Sequence, residues 1–185
     1  MLGNKVPENA LVLLLVGTSW AVADVESGPK AGEKASEFKV FAVTGEVENK
    51  EVNFIKDRKD EPTIYYFVQK EHWSRPMAKY LRTMDTKASE LSDKVQGVAL
   101  WLGGDVKENK EYLPKAQQSL KFTKTALTVF EGEKTGPNNW GINSDAHLTT
   151  VIVNKGKVVK SFPYVSVNDS DVRAVLMELK QSLGK

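Results

Sequence analysis

The sequence predicts an α/β fold with a central mixed β-sheet flanked by helices, preceded by an N-terminal β-hairpin. Residues 63–68 form a run of β-branched and aromatic residues that is typical of a buried strand. Apolar residues then recur at helical spacing over 77–91, which predicts a helix over about 75–92, and a second apolar strand follows at 95–102. A strand–helix–strand unit of this length favours a parallel pair. A later hairpin, formed by strands at 148–153 and 157–162, makes the predicted sheet mixed.

The second half of the chain predicts further elements on both sides of that hairpin. A helix is expected at 106–120, a strand at 126–130, and an irregular loop with several Gly and Asn residues at 132–145. The last helix is the clearest, because the capping residues at 168–170 precede one apolar face of Val and Leu. This helix is expected to cover the sheet.

The first 23 residues predict an export signal. Lys5 precedes an apolar run at 10–16, and Ala21-Val22-Ala23 matches the small-x-small pattern before a cleavage point. A membrane anchor is the alternative, but the run is shorter than the roughly 20 residues that a bilayer requires. A lipoprotein anchor is excluded, because the chain has no cysteine to carry the lipid. We therefore expect an exported protein, periplasmic or secreted, with no stable membrane anchor after cleavage.

The rest of the chain predicts a short connection and one domain. Residues 24–36 are rich in Gly, Pro, Lys and Glu without apolar periodicity, which predicts a flexible, solvated linker. Residues 37–185 then have the length of one ordinary domain. Its hairpin is expected over 38–54, where alternating residues flank the turn formers Thr44 and Gly45.

Composition excludes several functions. The chain carries 26 Lys and Arg against 24 Asp and Glu, and these charges are interspersed, so nucleic acid is not an expected partner. Because cysteine is absent, thiol–disulfide oxidoreductase and peroxiredoxin activity are excluded. The two histidines, His72 and His147, are far apart in sequence and belong to no metal-binding motif, so neither a metal nor a cofactor is predicted.

One short motif connects this chain to a known family. The strand at 63–68 leads into Trp73-Ser74-Arg75-Pro76-Met77 at a predicted helix start, near Arg75. Together with the order of elements, this motif resembles the thioredoxin-like superfamily in its redoxin form, the peroxiredoxin-like AhpC/TSA type, over residues 33–184. The resemblance implies a thioredoxin-like fold and places W-C-x-P-C at this motif. Ser74 and Met77 therefore stand where that family has its two cysteines.

A second segment also resembles the family. His147-Leu148-Thr149-Thr150 is similar to the segment in which a cis-proline precedes a threonine, with Leu148 in the proline's place. Because a cis bond before a non-proline residue is costly, we expect a trans bond there. The chain is also similar to a cysteine-free group of exported redoxin-like proteins found in some bacteria, a resemblance that implies a fold but no activity.

The motif residues each allow a structural and a functional interpretation. Ser74 suits a helix N-cap, and Pro76 is tolerated in the first turn. A nucleophilic Ser74 would need a base, for which His72 is a candidate without any identifiable acid partner. Arg75 could hold an anion at the helix start or be a solvated side chain. Met77 is expected to be a buried core contact rather than a redox sensor.

Aromatic residues supply the candidate binding site. Trp73 could present a partly exposed anchor for a peptide or an apolar ligand, or could pack against the loop that contains Trp140. Trp73, Arg75 and Leu148 would bound a cleft at the degenerate motif, and His72, Trp140 and Thr149 are further possible binding residues. The sequence favours a non-catalytic binding or interaction module for an unknown protein or small ligand. The alternatives are a redoxin-family antioxidant or oxidoreductase role, implied by the resemblance alone, and a structural protein of the cell envelope.

Overall fold

A computed structural model describes residues 25–185, so the predicted signal peptide lies outside the described residues. One seven-stranded sheet has the order β2-β1-β5-β4-β3-β6-β7. Its strands are β1 (Val40–Ala42), β2 (Lys50–Val52), β3 (Thr63–Gln69), β4 (Gln96–Leu102), β5 (Thr125–Val129), β6 (Leu148–Asn154) and β7 (Lys157–Tyr164). The helices are α1 (Phe54–Arg58), α2 (Arg75–Leu91), α3 (Val106–Leu120) and α4 (Asp169–Ser182), with a 3-10 turn at Lys70–His72. None of the helices described could cross a membrane, given their length and polarity.

Strand β3 is an interior strand of the sheet, next to the central strand β4, and is buried along its whole length. It pairs in parallel with β4 and antiparallel with β6, so the predicted mixed sheet is confirmed. A strand that is covered on both faces needs apolar residues at every position rather than at alternate ones. The β-branched and aromatic run of β3 meets that requirement.

The side chains of β3 alternate between two cores. Tyr66 and Val68 belong to a core that also contains buried residues of α2, α3 and α4. Tyr65 and Phe67 point to the other face, where no long helix lies. That face is covered by Phe38 and by residues of α1 and of the loop 132–145. The loop is irregular, as its Gly and Asn content predicts.

The predicted elements agree closely with the observed ones, with one helix missed. β1 and β2 pair antiparallel, which confirms the N-terminal hairpin. Phe54 does not continue the hairpin strand as expected, because the Asn53 side chain accepts a hydrogen bond from the Lys56 N–H and caps α1. α2 ends one residue before its predicted limit, and α3 has the predicted limits.

Part of the predicted linker packs against the domain in the residues that the structure describes. Ala35 is buried, and the backbone of Gly32, Glu33 and Ala35 exchanges hydrogen bonds with the β6–β7 hairpin. Ser27 is buried as well, and its hydroxyl lies 2.7 Å from the Thr149 hydroxyl. Backbone pairing of this kind requires no apolar side chains, so the polar composition of the segment concealed it.

Replacing Ser27 by Ala tests this packing. The hydroxyl also accepts a hydrogen bond from the backbone N–H of Asn143 at 2.9 Å, so the substitution leaves two buried polar groups without that partner. We expect the free energy of unfolding, measured in urea, to fall by about 1–3 kcal/mol. Ser119→Ala, at an exposed site on α3, should change it by less than about 0.5 kcal/mol. Equal effects of the two substitutions would contradict the packing of this segment.

Candidate functional site

The degenerate motif lies where β3 gives way to α2. The 3-10 turn follows β3, and Ser74 occupies the N-cap position of α2 with extended backbone angles of φ −146° and ψ 163°. Its hydroxyl makes no capping hydrogen bond, so Ser74 has the predicted position without the predicted interaction. Pro76 lies in the first turn and has no N–H to leave unpaired. The start of α2 is therefore not capped by a side chain.

The interior beneath the motif is filled by apolar side chains. Met77 is 3% exposed and Leu148 is fully buried, and both belong to the core under α2. The burial of Met77 is as predicted. Leu148 lies opposite Val68 in the β3–β6 register, and no peptide bond among residues 25–185 is cis. The position that corresponds to a second cysteine in the resembling family is therefore solid core.

Trp73 is half-buried beside the motif. Its ring meets that of Trp101 edge to face, with 4.7 Å between the centroids. Its indole N–H donates a hydrogen bond to the Tyr112 hydroxyl of α3 at 2.9 Å. Tyr112 itself is 42% exposed, so the pair presents an aromatic edge to solvent.

Trp140 and Thr149 do not contribute to that surface. Trp140 is 1% exposed and lies in the core on the opposite face of the sheet, with its ring centroid 5.1 Å from that of Phe67. Its indole N–H donates to the Ser36 carbonyl at 2.9 Å. Thr149 is fully buried beneath Ser27. Among the described residues, Trp140 therefore does not share a surface with Trp73 and Leu148, because those two contact the core under α2, whereas the loop before β6 directs Trp140 to the other core.

The structure brings together two histidines that lie far apart in the sequence. The rings of His72 and His147 stack with 3.6 Å between their centroids and 12° between their planes. A backbone hydrogen bond from the Gln69 N–H to the His147 carbonyl, at 3.1 Å, holds the two segments together. The Glu71 carboxylate lies 3.9 Å from Nε2 of His72. No local sequence pattern signals a contact between residues so far apart.

Desolvation lowers the pKa of His147 below its ordinary value, and repulsion from the neighbouring His72 lowers it further. The backbone of Val165 and the Glu71 carboxylate oppose this shift by favouring the protonated ring. His147 is therefore expected to be neutral at pH 7.

The stacked rings do not have the geometry of a metal site. Imidazole lone pairs lie in the ring plane, so two parallel rings direct them side by side rather than toward one ion at about 2.0–2.1 Å. Over residues 25–185, no three His, Asp or Glu side chains are arranged to hold a metal ion.

We call the surface formed by Tyr112, Trp73, His72, His147 and Val165 the motif face. Val165 is 51% exposed and lies against His147, at the end of β7 opposite to the hairpin turn. Large apolar side chains this exposed number three among the described residues, and two of them, Tyr112 and Val165, belong to this surface. The third, Met177, is on α4.

Arg75 lies next to the motif face at the mouth of a groove. The groove has a volume of about 390 Å³ and runs between the starts of α2 and α4, lined by Arg75, Pro76, Lys79, Tyr80, Val167, Asn168 and Asp169. Lys79 and Asp169 form an ion pair across it at 3.1 Å. Arg75 is exposed and has no carboxylate within 4 Å in the part of the chain that the structure describes. Anion binding by Arg75 stays a prediction.

Comparisons with known structures identify the fold. The chain is similar to AhpC from Enterococcus faecalis, with a TM-score of 0.64 and 14% identity over 84% of this chain and 93% of that one. It is also similar to the exposed lipoprotein thioredoxin Etrx1 from Streptococcus pneumoniae, with a TM-score of 0.58 and 20% identity over 79% and 99% of the two chains. Peroxidoxin BcpB from Mycobacterium tuberculosis gives a TM-score of 0.60 at 14% identity, over 83% of this chain and 97% of that one.

No protein-family model and no curated protein matches the sequence. The structural neighbours show that the chain has a thioredoxin-like fold, as the motif and the order of elements predict. Unlike a thiol redoxin, this protein contains no cysteine, so neither thiolate attack nor a disulfide intermediate is available to it.

A Ser74→Cys variant tests the electrostatics of the helix start. The positive end of the α2 dipole and the uncapped first turn should stabilise a thiolate, lowering the pKa of the new thiol below about 8.5. We expect its alkylation by iodoacetamide, followed against pH, to show this shift. A Ser119→Cys variant, near the end of α3 where the dipole has the opposite sign, should show no lowering. Equal alkylation profiles would contradict an activating field at the motif.

The stacked histidines predict a loss of stability in acid. Because the folded state lowers the pKa of His147, the unfolded chain takes up a proton first as the pH falls below about 6.5. The contribution of His147 to the free energy of unfolding should therefore be largest above that pH. It should decrease as the pH falls toward the lower pKa that His147 has in the folded state. Urea titrations at pH 7.5 and 5.5 should show a smaller loss in His147→Phe, which keeps a ring but cannot titrate.

A second measurement assigns the cause of the lowered pKa. In His72→Phe, repulsion by a protonated His72 is removed, so the pKa of His147, followed by the NMR shift of its imidazole protons, should rise. An unchanged value would show that the stack does not couple the two rings.

Proposed function

We propose that this protein is an exported thioredoxin-like binding module that contacts a polypeptide segment of a partner through the motif face. One observation carries the proposal: the three exposed large apolar side chains of the described residues include Tyr112 and Val165, which lie beside the neighbouring pairs Trp73–Tyr112 and His72–His147. Exposed apolar residues scattered singly are normal, whereas a rigid cluster of them is typical of interaction sites.

The chemistry of the motif face suits a polypeptide. Trp73, His72 and His147 offer ring faces and edges whose positions are fixed by stacking and by hydrogen bonds, so little side-chain entropy is lost on binding. The Tyr112 hydroxyl can accept or donate toward a backbone amide. The Glu71 carboxylate lies beside this surface, 3.9 Å from His72 and 4.0 Å from Lys134. An apolar centre with a charged rim is the usual arrangement of a protein contact.

Catalysis at the same residues is not supported. A serine hydroxyl needs a base to become a nucleophile, and no hydrogen bond joins the Ser74 side chain to a base among the described residues. The nearby His72 ring is engaged in the stack with His147. A role that needs binding alone therefore accounts for the site better than hydrolysis does.

Export is part of the proposal. Its support is the predicted signal peptide at residues 1–23, together with the similarity to a thioredoxin whose name describes it as an exposed lipoprotein. This protein has no cysteine for such a lipid, so we expect the cleaved form to be released from the membrane.

Selection of random 12-residue peptides displayed on phage tests the motif face. We expect clones enriched on the purified protein to bind it in solution and to lose at least about tenfold in affinity for the double variant Tyr112→Ala/Val165→Ser. Both side chains are exposed, so the variant should fold. Met177→Ser, which changes an equally exposed apolar side chain on α4, serves as the matched control.

The control also separates the alternatives. Enriched clones that all keep their affinity for the double variant would contradict the motif face as a contact surface. A selection that enriches nothing, together with stable oligomers of the protein alone, would favour the structural cell-envelope role instead.

A further inference from the structure

We infer that a second groove, between the end of α2 and the length of α4, binds an amphipathic acidic helix of a partner protein. This groove lies on a different surface from the motif face, and the inference does not depend on the function proposed above.

The floor of the groove is apolar and open. Over residues 83–91 of α2 and 169–180 of α4, the two helices leave a depression of about 410 Å³. Val172 lies at its base, with Leu91 and Leu176 half-buried in its walls. Met177 stands at its edge with 65% of its surface exposed, the largest value among the exposed large apolar residues described. Methionine is suited to adaptable contacts, because its unbranched side chain can take several shapes.

The charges around this floor are unbalanced. The rim carries Lys87, Glu90, Asp169, Arg173 and Lys180. Both acidic residues are already neutralised: Glu90 pairs with Lys87 at 2.8 Å, and Asp169 pairs with Lys79 of α2 at 3.1 Å.

Two cationic side chains of the rim, Arg173 and Lys180, have no such ion pair among the described residues. Neither Arg173 nor Lys180 has a carboxylate within 4 Å in the part of the chain that the structure describes. An occupant that is apolar toward the floor and acidic along its flanks would supply the missing charge.

The shape of the groove favours a helix. The groove extends over residues 83–91 of α2 and 169–180 of α4, about 13–18 Å, so about three turns of a partner helix can lie along it. Helices with apolar residues at i, i+3, i+4 and i+7 are commonly bound in grooves of this kind. A flat bilayer would not reach Val172 at the base, and a second copy of this chain would bring the same unpaired cations to the contact.

Two synthetic peptides test the inference against the purified protein. Each has 15 residues and a fluorescein label, with Leu at i, i+3, i+4 and i+7; one carries Glu and the other Lys at the flanking positions. We expect anisotropy titrations to show binding of the Glu peptide that weakens as salt is raised, and at least about tenfold weaker binding of the Lys peptide.

Surface variants assign the binding to the groove. Met177→Ser should weaken binding of the Glu peptide by about fivefold or more, and Arg173→Glu/Lys180→Glu should reverse the preference in favour of the Lys peptide. All three side chains are exposed, so these variants should fold. Val165→Ser, on the motif face, should leave the affinity unchanged.

Several results would overturn the inference. These are equal affinity for the two peptides, no binding of the Glu peptide, or an unchanged affinity in Met177→Ser. Binding to phosphatidylglycerol vesicles in place of the Glu peptide, lost in Met177→Ser, would assign the groove to a membrane surface. A dimer that dissociates in Met177→Ser would assign it to a second copy of this chain.

Discussion

The burial of β3 on both faces is the constraint on which the rest of the structure depends. Because its seven residues contact two cores and two neighbouring strands, their side chains determine which elements can cover each face. Tyr66 and Val68 require the apolar faces of the long helices, whereas Tyr65 and Phe67 require Phe38 and Trp140. The end of β3 also fixes where the chain turns into α2, and so fixes the position of the motif and of His72.

The interior beneath that turn is filled by apolar side chains. Met77 and Leu148 are large apolar side chains that are almost completely buried where the resembling family has a cysteine and a proline. Full burial of such side chains contributes about 1.5–3 kcal/mol each relative to exposure. A domain without disulfides or a described metal site must obtain its stability from packing, and these two positions add to it. Function at the motif then depends on the side chains that remain at the surface.

The predictable part of the structure is the part that depends on local periodicity. β3 and α3 have strong, uninterrupted patterns, and their limits follow from the sequence to within a residue. The motif also marks the start of α2 correctly, since the family resemblance is centred there. The stacking of His72 on His147 and the contact of Ser27 with Thr149 depend instead on strand pairing between distant segments. The position of Trp140 is not predictable for the same reason, because which face a loop residue reaches depends on the strand that follows it.

α2 connects the two proposed binding surfaces. Its first turn borders the motif face through Arg75, and its last turns form one wall of the apolar groove. The Lys79–Asp169 ion pair lies between these regions and divides the space between α2 and α4 into two grooves. At 62% and 79% side-chain exposure, this pair contributes little to stability, so it is not a rigid barrier. A ligand long enough to span both grooves would need only to displace this weak pair, whereas the packed core beneath α2 could remain unchanged.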